Sequence, residues 1–221
     1  MSMSQSDPPL HYIVQPQGPS VEGGVLLVML HGYGSNEQDL LGLAPHLDAR
    51  FRCISARAPY ALDFGGYAWF PIEVTPQGIV VDYEQALESS ARVLELVEAL
   101  RAEHGAAAVY LLGFSQGAIM SLNIALQHAQ HIAGVAALSG ICSERMLPEG
   151  AGEDLSSLPV LMTHGRWDQV VPVEQARASN ELLASLPLQL TYKEYDMGHE
   201  INQECLSDLR DWLQERLDSG C

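Results

Sequence analysis

The 221-residue chain has few basic residues, and only one of them is a lysine, Lys193. Eleven basic residues stand against 28 acidic ones, which gives a formal net charge of −17 at pH 7. Because such a surface repels phosphate backbones and anionic lipid headgroups, we expect no nucleic-acid partner. No run of five like charges occurs, so the charge indicates a solvated surface rather than an interacting tail.

The chain also lacks the signals of export, membrane insertion and metal binding. No apolar stretch approaches the ~20 residues of a membrane-spanning helix, and the polar start lacks the apolar core of a signal peptide. The cysteines are widely separated and form no C-x-x-C pair, which argues against a zinc site or a disulfide framework. They are Cys53, Cys142, Cys205 and Cys221. We predict a cytoplasmic protein with no cofactor, its first three cysteines buried, and export from a longer precursor stays an alternative.

Short apolar runs alternate with helical patterns along the chain. Unalternating apolar runs are typical of strands that are covered on both faces, as in a parallel sheet. The six predicted strands span residues 25–30, 52–55, 109–113, 135–138, 159–163 and 189–195. This alternation predicts an α/β fold with one mostly parallel central sheet, helices on both faces and no separate cap domain. We expect residues 10–218 to form this single domain and residues 1–9 to be a flexible tail.

Capping residues indicate where several helices begin. Asp82 and Gln85 form a capping pair before a helix that ends at Gly105, and Ser35 with Gln38 forms a similar pair. Pro172 is predicted as the first residue of a helix over 172–186. Further helices are expected over 118–129 and from about residue 200. In the first of these helices the predicted apolar stripe comprises Tyr83, Leu87, Ala91, Leu94, Val97 and Leu100.

The sequence GFSQG at Gly113–Gly117 lies between a predicted strand and a predicted helix. This setting is that of the nucleophile elbow of α/β hydrolases, in which a sharp turn exposes a serine above the sheet. The flanking glycines leave room for the strained turn. Ser115 is therefore the predicted nucleophile, and the backbone N–H of Gln116 is a predicted oxyanion donor. The alternative is that Ser115 only caps the helix.

A serine hydroxyl needs a base, which in this fold follows the serine and an acid along the chain. Four histidines follow Ser115. His128 and His131 lie at the far end of the next helix, and His164 ends a strand, where its ring suits packing. His199 follows the last strand, at the carboxyl end of the sheet where such folds place their sites. We predict His199 as the base, turned inward by Gly198; the alternative is a helix-capping histidine.

The orienting acid is expected after a strand and before His199. Asp168 fits, because it follows the strand at 159–163 and precedes a helix. Its competitors are Asp154, in the preceding polar loop, and Asp196, three residues before His199. We expect Asp168 to hold the Nδ1–H of His199, so that Nε2 faces the serine.

A second oxyanion donor is expected from the loop after an early strand, here His31-Gly32-Tyr33-Gly34. The N–H of Tyr33 is the candidate, since the adjacent glycines allow close approach of a substrate. The Tyr33 side chain either covers the site or is an ordinary exposed aromatic. His31 is interpreted as a structural hydrogen-bonding residue.

Together, LHGYGSN at 30–36, GFSQGA at 113–118, HGRWDQVVP at 164–172 and MGHE at 197–200 resemble the phospholipase/carboxylesterase family, which contains bacterial carboxylesterases and acyl-protein thioesterases. The resemblance covers residues 25–217. It implies a serine esterase with Ser115, Asp168 and His199 as the catalytic residues, Tyr33 and Gln116 at the oxyanion positions, and possible homodimers.

The segment Ala68-Trp69-Phe70 resembles the family's W-[FY]-D, which implies that Tyr33, Trp69 and Phe70 contact the substrate. Pro71 stands where the family has an acid, and the segment 58–81 is shorter than in relatives, which favours short acyl chains. Three alternatives remain open at this point. They are a long-chain acyl-protein or acyl-CoA thioesterase or lysophospholipase, a dienelactone-hydrolase-like enzyme, against which Ser115 argues because that class uses cysteine, and a non-catalytic binding protein on a hydrolase scaffold.

Overall fold

The computed structural model describes residues 8–15, 23–75, 78–147 and 154–220. Most of the predicted tail, residues 1–9, and Cys221 lie outside the described residues. The strands are β1 (Tyr12–Val14), β2 (Val25–Leu30), β3 (Phe51–Ala56), β4 (Tyr60–Ala61), β5 (Tyr67–Ala68), β6 (Ile72–Thr75), β7 (Gly78–Val81), β8 (Ala108–Phe114), β9 (Gly134–Leu138), β10 (Pro159–Gly165) and β11 (Gln189–Tyr195). The α-helices are α1 (Tyr83–His104), α2 (Gln116–Gln127), α3 (Val173–Ala184) and α4 (Gln203–Asp218), and short 3₁₀ segments span Leu40–His46, Ala129–His131 and Glu144–Met146.

A seven-stranded central sheet has the order β1-β3-β2-β8-β9-β10-β11. All its neighbouring strands are parallel except β1 and β3, which pair antiparallel. This architecture confirms the predicted mostly parallel sheet, and each of the six predicted strands is present. Strand β1 was not predicted, because a run of three residues is too short to indicate a strand, and its pairing with β3 defines it. Two hairpins, β4–β5 and β6–β7, occupy the segment 58–81 after β3.

Both faces of the sheet are covered, as the apolar runs predicted. In β2 the side chains of Leu26, Val28 and Leu30 join the core under α1, α2 and α3, whereas Leu27 and Met29 join the core under α4 and the 3₁₀ segment Leu40–His46. Successive residues of a strand point to opposite faces, so a strand that is covered on both sides must be apolar throughout. Among the described residues, no helix combines the length and apolar character that a bilayer crossing requires.

The caps of α1 agree with the prediction, and its buried face agrees in part, since Val97 and Leu100 of the predicted stripe are buried. Asp82 accepts the N–H of Gln85, and Gly105 ends the helix in the left-handed conformation. Tyr83 and Leu87, from the predicted apolar stripe, are exposed. The buried residues are Ala86, Ser89, Ser90, Val93, Leu96, Val97 and Leu100. The prediction misplaced the buried face because it includes two serines, which are polar residues. Their hydroxyls can be buried because they donate to backbone carbonyls.

Three other helix starts differ from the prediction by local geometry. Ser35 bonds to Asp39 instead of capping, and Asn36 accepts the N–H of Gln38 before a 3₁₀ segment. Pro172 is the N-cap of α3, one residue outside the helix. The last helix begins later than predicted, at Gln203.

The three described cysteines are free and buried, as predicted. Burial raises the pKa of Cys53 and of Cys142 to about 12, and that of Cys205 to about 11. A thiol with such a pKa stays protonated at neutral pH and is a poor nucleophile. The described cysteines therefore contribute to packing, and the reactive chemistry must come from other groups.

Candidate active site

The turn between β8 and α2 places Ser115 above the carboxyl end of the sheet. Ser115 has φ 53° and ψ −116°, a conformation that non-glycine residues rarely adopt. Its N–H donates to the carbonyl of Leu138 on the neighbouring strand at 2.8 Å, which helps to hold the turn. A Cβ on Gly113 would overlap the carbonyl of Gly117, and one on Gly117 would overlap the carbonyl of Leu30. Both flanking glycines of the motif are therefore required by close packing of the backbone.

The structure brings Ser115, His199 and Asp168 into one hydrogen-bonded chain. His199 Nε2 lies 2.8 Å from Ser115 Oγ, and His199 Nδ1 lies 2.6 Å from Asp168 Oδ2. Asp168 lies in the loop after β10 and His199 in the loop after β11, at the same end of the sheet as Ser115. A neutral imidazole in this arrangement donates from Nδ1 to the carboxylate and accepts the serine proton at Nε2.

Asp168 is buried, yet its surroundings favour the ionised carboxylate. Burial alone would raise the pKa of Asp168, but hydrogen bonds from the Val171 N–H, the His199 ring and the Val170 N–H outweigh it and hold the pKa below its usual value. Both backbone N–H groups reach Oδ1 at 2.8 Å, which leaves Oδ2 for the imidazole. A fixed negative charge therefore faces the His199 ring at neutral pH.

The loops that carry Asp168 and His199 pack directly against each other. The N–H of Trp167 donates to the carbonyl of Met197 at 3.1 Å, and a Cβ on Gly165 would overlap the carbonyls of Met197 and Gly198. Gly198, predicted to turn the imidazole inward, does not adopt a positive φ and has open space where a Cβ would stand. The close approach that positions His199 thus depends on Gly165, and the interpretation of Gly198 is wrong.

The competing acids and histidines have other partners. Asp196 forms a surface ion pair with Arg166 at 2.6 Å, and Asp154 accepts the N–H of Ser156. His164 is fully buried and donates from Nε2 to the carbonyl of Val171 at 2.8 Å. It thereby supports the loop around Asp168.

The other two histidines after the serine lie away from this site. His128 follows the last residue of α2, and His131 Nδ1 lies 3.5 Å from a carboxylate oxygen of Glu98 on α1. Both therefore stand at the end of α2 opposite Ser115.

The backbone N–H groups of Gln116 and Tyr33 are the candidates for binding a developing oxyanion. Gln116 begins α2, so its N–H lies at the positive end of the helix. Tyr33 lies in the loop after β2. Within the part of the chain that the structure describes, neither N–H donates to a protein acceptor. An arrangement of a hydroxyl, an imidazole, a carboxylate and two free N–H groups can perform acyl transfer.

His31 is buried and makes structural hydrogen bonds, in line with its interpretation from the sequence. The N–H of Ala58 donates to His31 Nε2 at 3.1 Å, so the proton is on Nδ1, which donates to the carbonyl of Gly32 at 2.7 Å. Burial lowers the pKa of His31, which favours this neutral ring. Because both ring nitrogens are engaged, His31 holds the loop that carries Tyr33 rather than serving as a second base.

Trp69, a predicted substrate contact, lies inside the protein. Its side chain is fully buried, and its indole N–H donates to the carbonyl of His31 at 2.9 Å. Phe70 is also buried, with 2% of its surface exposed. Both side chains are thus covered by the protein, and the predicted substrate contact of Trp69 and Phe70 stays a prediction.

Three exposed apolar side chains lie on the loops of the site and were not predicted. Phe64, at the tip of the β4–β5 hairpin, is 74% exposed, and its ring centroid lies 6.2 Å from that of Tyr33. Trp167 and Val170, which flank Asp168, are 63% and 60% exposed. The signal for Phe64 was an aromatic residue before Gly65 in a short hairpin, which is too local to place it beside Tyr33. No group of three or more metal-ligating side chains is found among the described residues.

The fold and these site elements are those of the α/β hydrolases. A model of the phospholipase/carboxylesterase family matches residues 11–217. The chain is 27% identical, over 219 residues, to a rice protein (Oryza sativa subsp. japonica) named "Probable carboxylesterase", covering 92% of this chain and 93% of that protein. It is 29% identical over 159 residues to acyl-protein thioesterase 1 of Eremothecium gossypii, covering 69% of this chain and 66% of that one.

A solved structure, that of esterase PE8, superposes with a TM-score of 0.81 at 27% identity, covering 93% of this chain and 98% of that one. The chain therefore belongs to the phospholipase/carboxylesterase family, a family of ester hydrolases. The resemblance stated from four short motifs is confirmed over nearly the whole domain.

Proposed function

We propose that this protein is a serine carboxylesterase that hydrolyses short- to medium-chain carboxylic esters through an acyl-enzyme intermediate. The observation that carries the proposal is the hydrogen-bonded chain from Asp168 through His199 to Ser115, with distances of 2.6 and 2.8 Å. Such a chain activates an otherwise weak nucleophile.

In the first half-reaction, Ser115 Oγ attacks the ester carbonyl while His199 Nε2 takes the hydroxyl proton. The N–H groups of Tyr33 and Gln116 bind the oxyanion, and Asp168 stabilises the imidazolium that forms. The C–O bond to the alcohol then breaks, and the alcohol leaves with the proton from His199. In the second half-reaction water attacks the acyl-enzyme, His199 takes its proton, and the acid leaves as Oγ regains a proton.

The proposed substrate is a small ester with an apolar group of limited length. Phe64, Trp167 and Val170 offer exposed apolar surface on the loops that carry the proposed site residues. The short β4–β5 hairpin supplies a single exposed aromatic ring, which is enough to cover a few methylenes. This supports short- to medium-chain esters over long acyl chains.

The decisive experiment compares wild type with Ser115→Ala on p-nitrophenyl butyrate. Removing the nucleophile from a triad lowers kcat by about 10⁶-fold, so activity should fall to background. Ser185→Ala, which changes an exposed serine in the loop after α3, is the matched control and should keep full activity. Equal rates for Ser115→Ala and wild type would show that the proposal is wrong.

A second candidate function is thioester hydrolysis on acylated proteins or acyl-CoA. The name of the relative from Eremothecium gossypii favours it, since the same residues could serve either reaction. A series of esters and thioesters of increasing length separates the two candidates. A sharp preference above ten carbons, where each buried methylene adds ~0.8 kcal/mol, would support the thioesterase. Folded protein that a fluorophosphonate fails to label would instead support a non-catalytic binding protein.

A further inference from the structure

Trp69 is bonded to three different parts of the molecule through its three polar groups. Its indole N–H donates to the carbonyl of His31 at 2.9 Å, and its backbone N–H donates to Oε1 of Gln116 at 2.8 Å. Its carbonyl accepts the hydroxyl of Ser89 on α1 at 2.5 Å. Because the side chain is fully buried, each of these bonds is shielded from water, which makes its loss costly.

The bond to Gln116 belongs to a two-point contact. While Oε1 of Gln116 accepts from Trp69, its Nε2 donates to the carbonyl of Phe70 at 2.7 Å. The side-chain amide thus grips the backbone at two successive residues, which fixes its orientation. The backbone N–H of the same residue follows Ser115 and is one of the two proposed oxyanion donors.

The hydrogen bond from Trp69 to His31 connects Trp69 to the loop that carries the other proposed oxyanion donor. His31 lies two residues before Tyr33, whose N–H is the second proposed donor. The elbow also packs against this loop, because a Cβ on Gly117 would overlap the carbonyls of Leu30 and His31. Trp69 and His31 also contact through their rings, whose centroids lie 5.5 Å apart. The indole N–H therefore holds the loop that carries Tyr33, at its base.

We infer that Trp69 is a positioning residue that sets the separation of the two oxyanion donors, the N–H groups of Tyr33 and Gln116. Among the described residues, Trp69 bonds both to the loop that carries Tyr33 and to Gln116. Its indole N–H bonds to His31 in that loop, and its backbone N–H bonds to the Gln116 side chain. Donors aimed at an oxyanion act only over short distances, and a shift of about 1 Å costs about 100-fold in rate. The inference rests on the proposed function and gives a role to a fully buried aromatic side chain.

The test is Trp69→Phe, which removes the indole N–H and leaves an aromatic ring and the backbone bond to Gln116. Active sites are counted by fluorophosphonate titration, and p-nitrophenyl butyrate and butaneboronic acid are the probes. We expect kcat per titrated site to fall about 10- to 100-fold, with KM within about twofold. The inhibition constant of the boronic acid, whose adduct with Ser115 is tetrahedral, should rise at least tenfold.

The matched control is Trp212→Phe in α4, which changes another buried tryptophan on the opposite face of the sheet. It should leave kcat per titrated site unchanged even where thermal stability falls. A purely structural role of Trp69 would give the same result: fewer titrated sites, each with normal kcat and normal boronic-acid affinity.

Should Trp69→Phe fail to fold, Ser89→Ala replaces it as the test, because it deletes only the hydroxyl bonded to the Trp69 carbonyl. The expected loss of kcat per site is then about three- to tenfold, at unchanged KM. Wild-type protein that neither reacts with the fluorophosphonate nor binds the boronic acid would overturn the proposed function. Labelled protein in which the variant keeps kcat per site and boronic-acid affinity within about twofold would overturn the positioning role alone.

Discussion

Asp168 Oδ2 lies 2.6 Å from His199 Nδ1, while Oδ1 of the same carboxylate accepts two backbone N–H groups. Because the two carboxylate oxygens have different partners, the effect of Asp168→Asn can be predicted. An amide in place of Oδ2 would present N–H to the ring and select the tautomer that carries its proton on Nε2, the wrong nitrogen for accepting from Ser115. In a serine protease the corresponding change lowers kcat by about 10⁴-fold. We expect a loss of about 10³- to 10⁴-fold in kcat on p-nitrophenyl butyrate.

The matched control for this variant is Asp196→Asn, three residues before His199. Asp196 is ion-paired with Arg166 at the surface, and exposed pairs contribute little. The activity of Asp196→Asn should stay within about twofold of wild type. A larger loss in Asp196→Asn than in Asp168→Asn would assign the orienting role to the other acid.

Two glycines near His199 should respond oppositely to alanine. Gly165→Ala places a methyl group against the carbonyls of Met197 and Gly198, so it should push the His199 loop away from Asp168. Overpacking of this kind costs about 1–3 kcal/mol of stability, and we expect kcat to fall at least tenfold. Gly198→Ala meets no neighbour and should keep both activity and melting temperature. Activity assays and thermal melts of the two variants provide the check, and loss of activity in Gly198→Ala alone would contradict it.

The central features of the site were predictable because each depends on local sequence. A strand, a sharp turn and a helix identify Ser115, and the ends of two later strands identify Asp168 and His199. Parallel strands bring their carboxyl ends to one edge, so residues far apart in the chain meet there without further information.

The features that were missed arise from contacts across long stretches of chain. The Gln116 side chain accepts the backbone N–H of Trp69, 47 residues earlier, and no sequence pattern at either position predicts that bond. Trp69 was therefore interpreted as a substrate contact, whereas its indole N–H has a buried acceptor. The buried face of α1 was mispredicted for a related reason. Ser89 is polar, but it lies on the buried face, where its hydroxyl donates to the carbonyl of Trp69.

Glu37 predicts how the stability of the protein depends on pH. Its carboxylate is buried and accepts two hydrogen bonds from Arg57, with His11 3.7 Å away, and Arg57 holds the pKa of Glu37 near 2, below its ordinary 4.5. A depressed pKa stabilises the fold fully above pH 4.5 and loses that effect as the pH falls towards 2. Glu37→Gln should lower the free energy of unfolding at pH 7 by about 2 kcal/mol.

Urea unfolding at pH 7 and at pH 3 provides the measurement for Glu37. The difference between wild type and Glu37→Gln should shrink at pH 3, because the carboxyl group of Glu37 is then protonated in the unfolded chain but still ionised in the folded protein. Glu88→Gln, in an exposed pair with Arg92, is the control and should leave the stability nearly unchanged. A difference that is equal at both values of pH would show that the charge of Glu37 is not what stabilises the fold.

Phe64 predicts how the enzyme selects among acyl groups. Its exposed ring lies beside Tyr33, so it can cover methylenes of a bound acyl chain. An acetyl group has no methylene for the ring to cover. Each fully buried methylene contributes ~0.8 kcal/mol, and partial cover contributes less. Phe64→Ala should therefore lower kcat/KM for p-nitrophenyl hexanoate about fivefold while leaving the acetate nearly unchanged. Leu87→Ala, an exposed apolar side chain on α1, should change neither substrate. Equal losses on hexanoate and acetate would mean that Phe64 supports the Tyr33 loop rather than the acyl group.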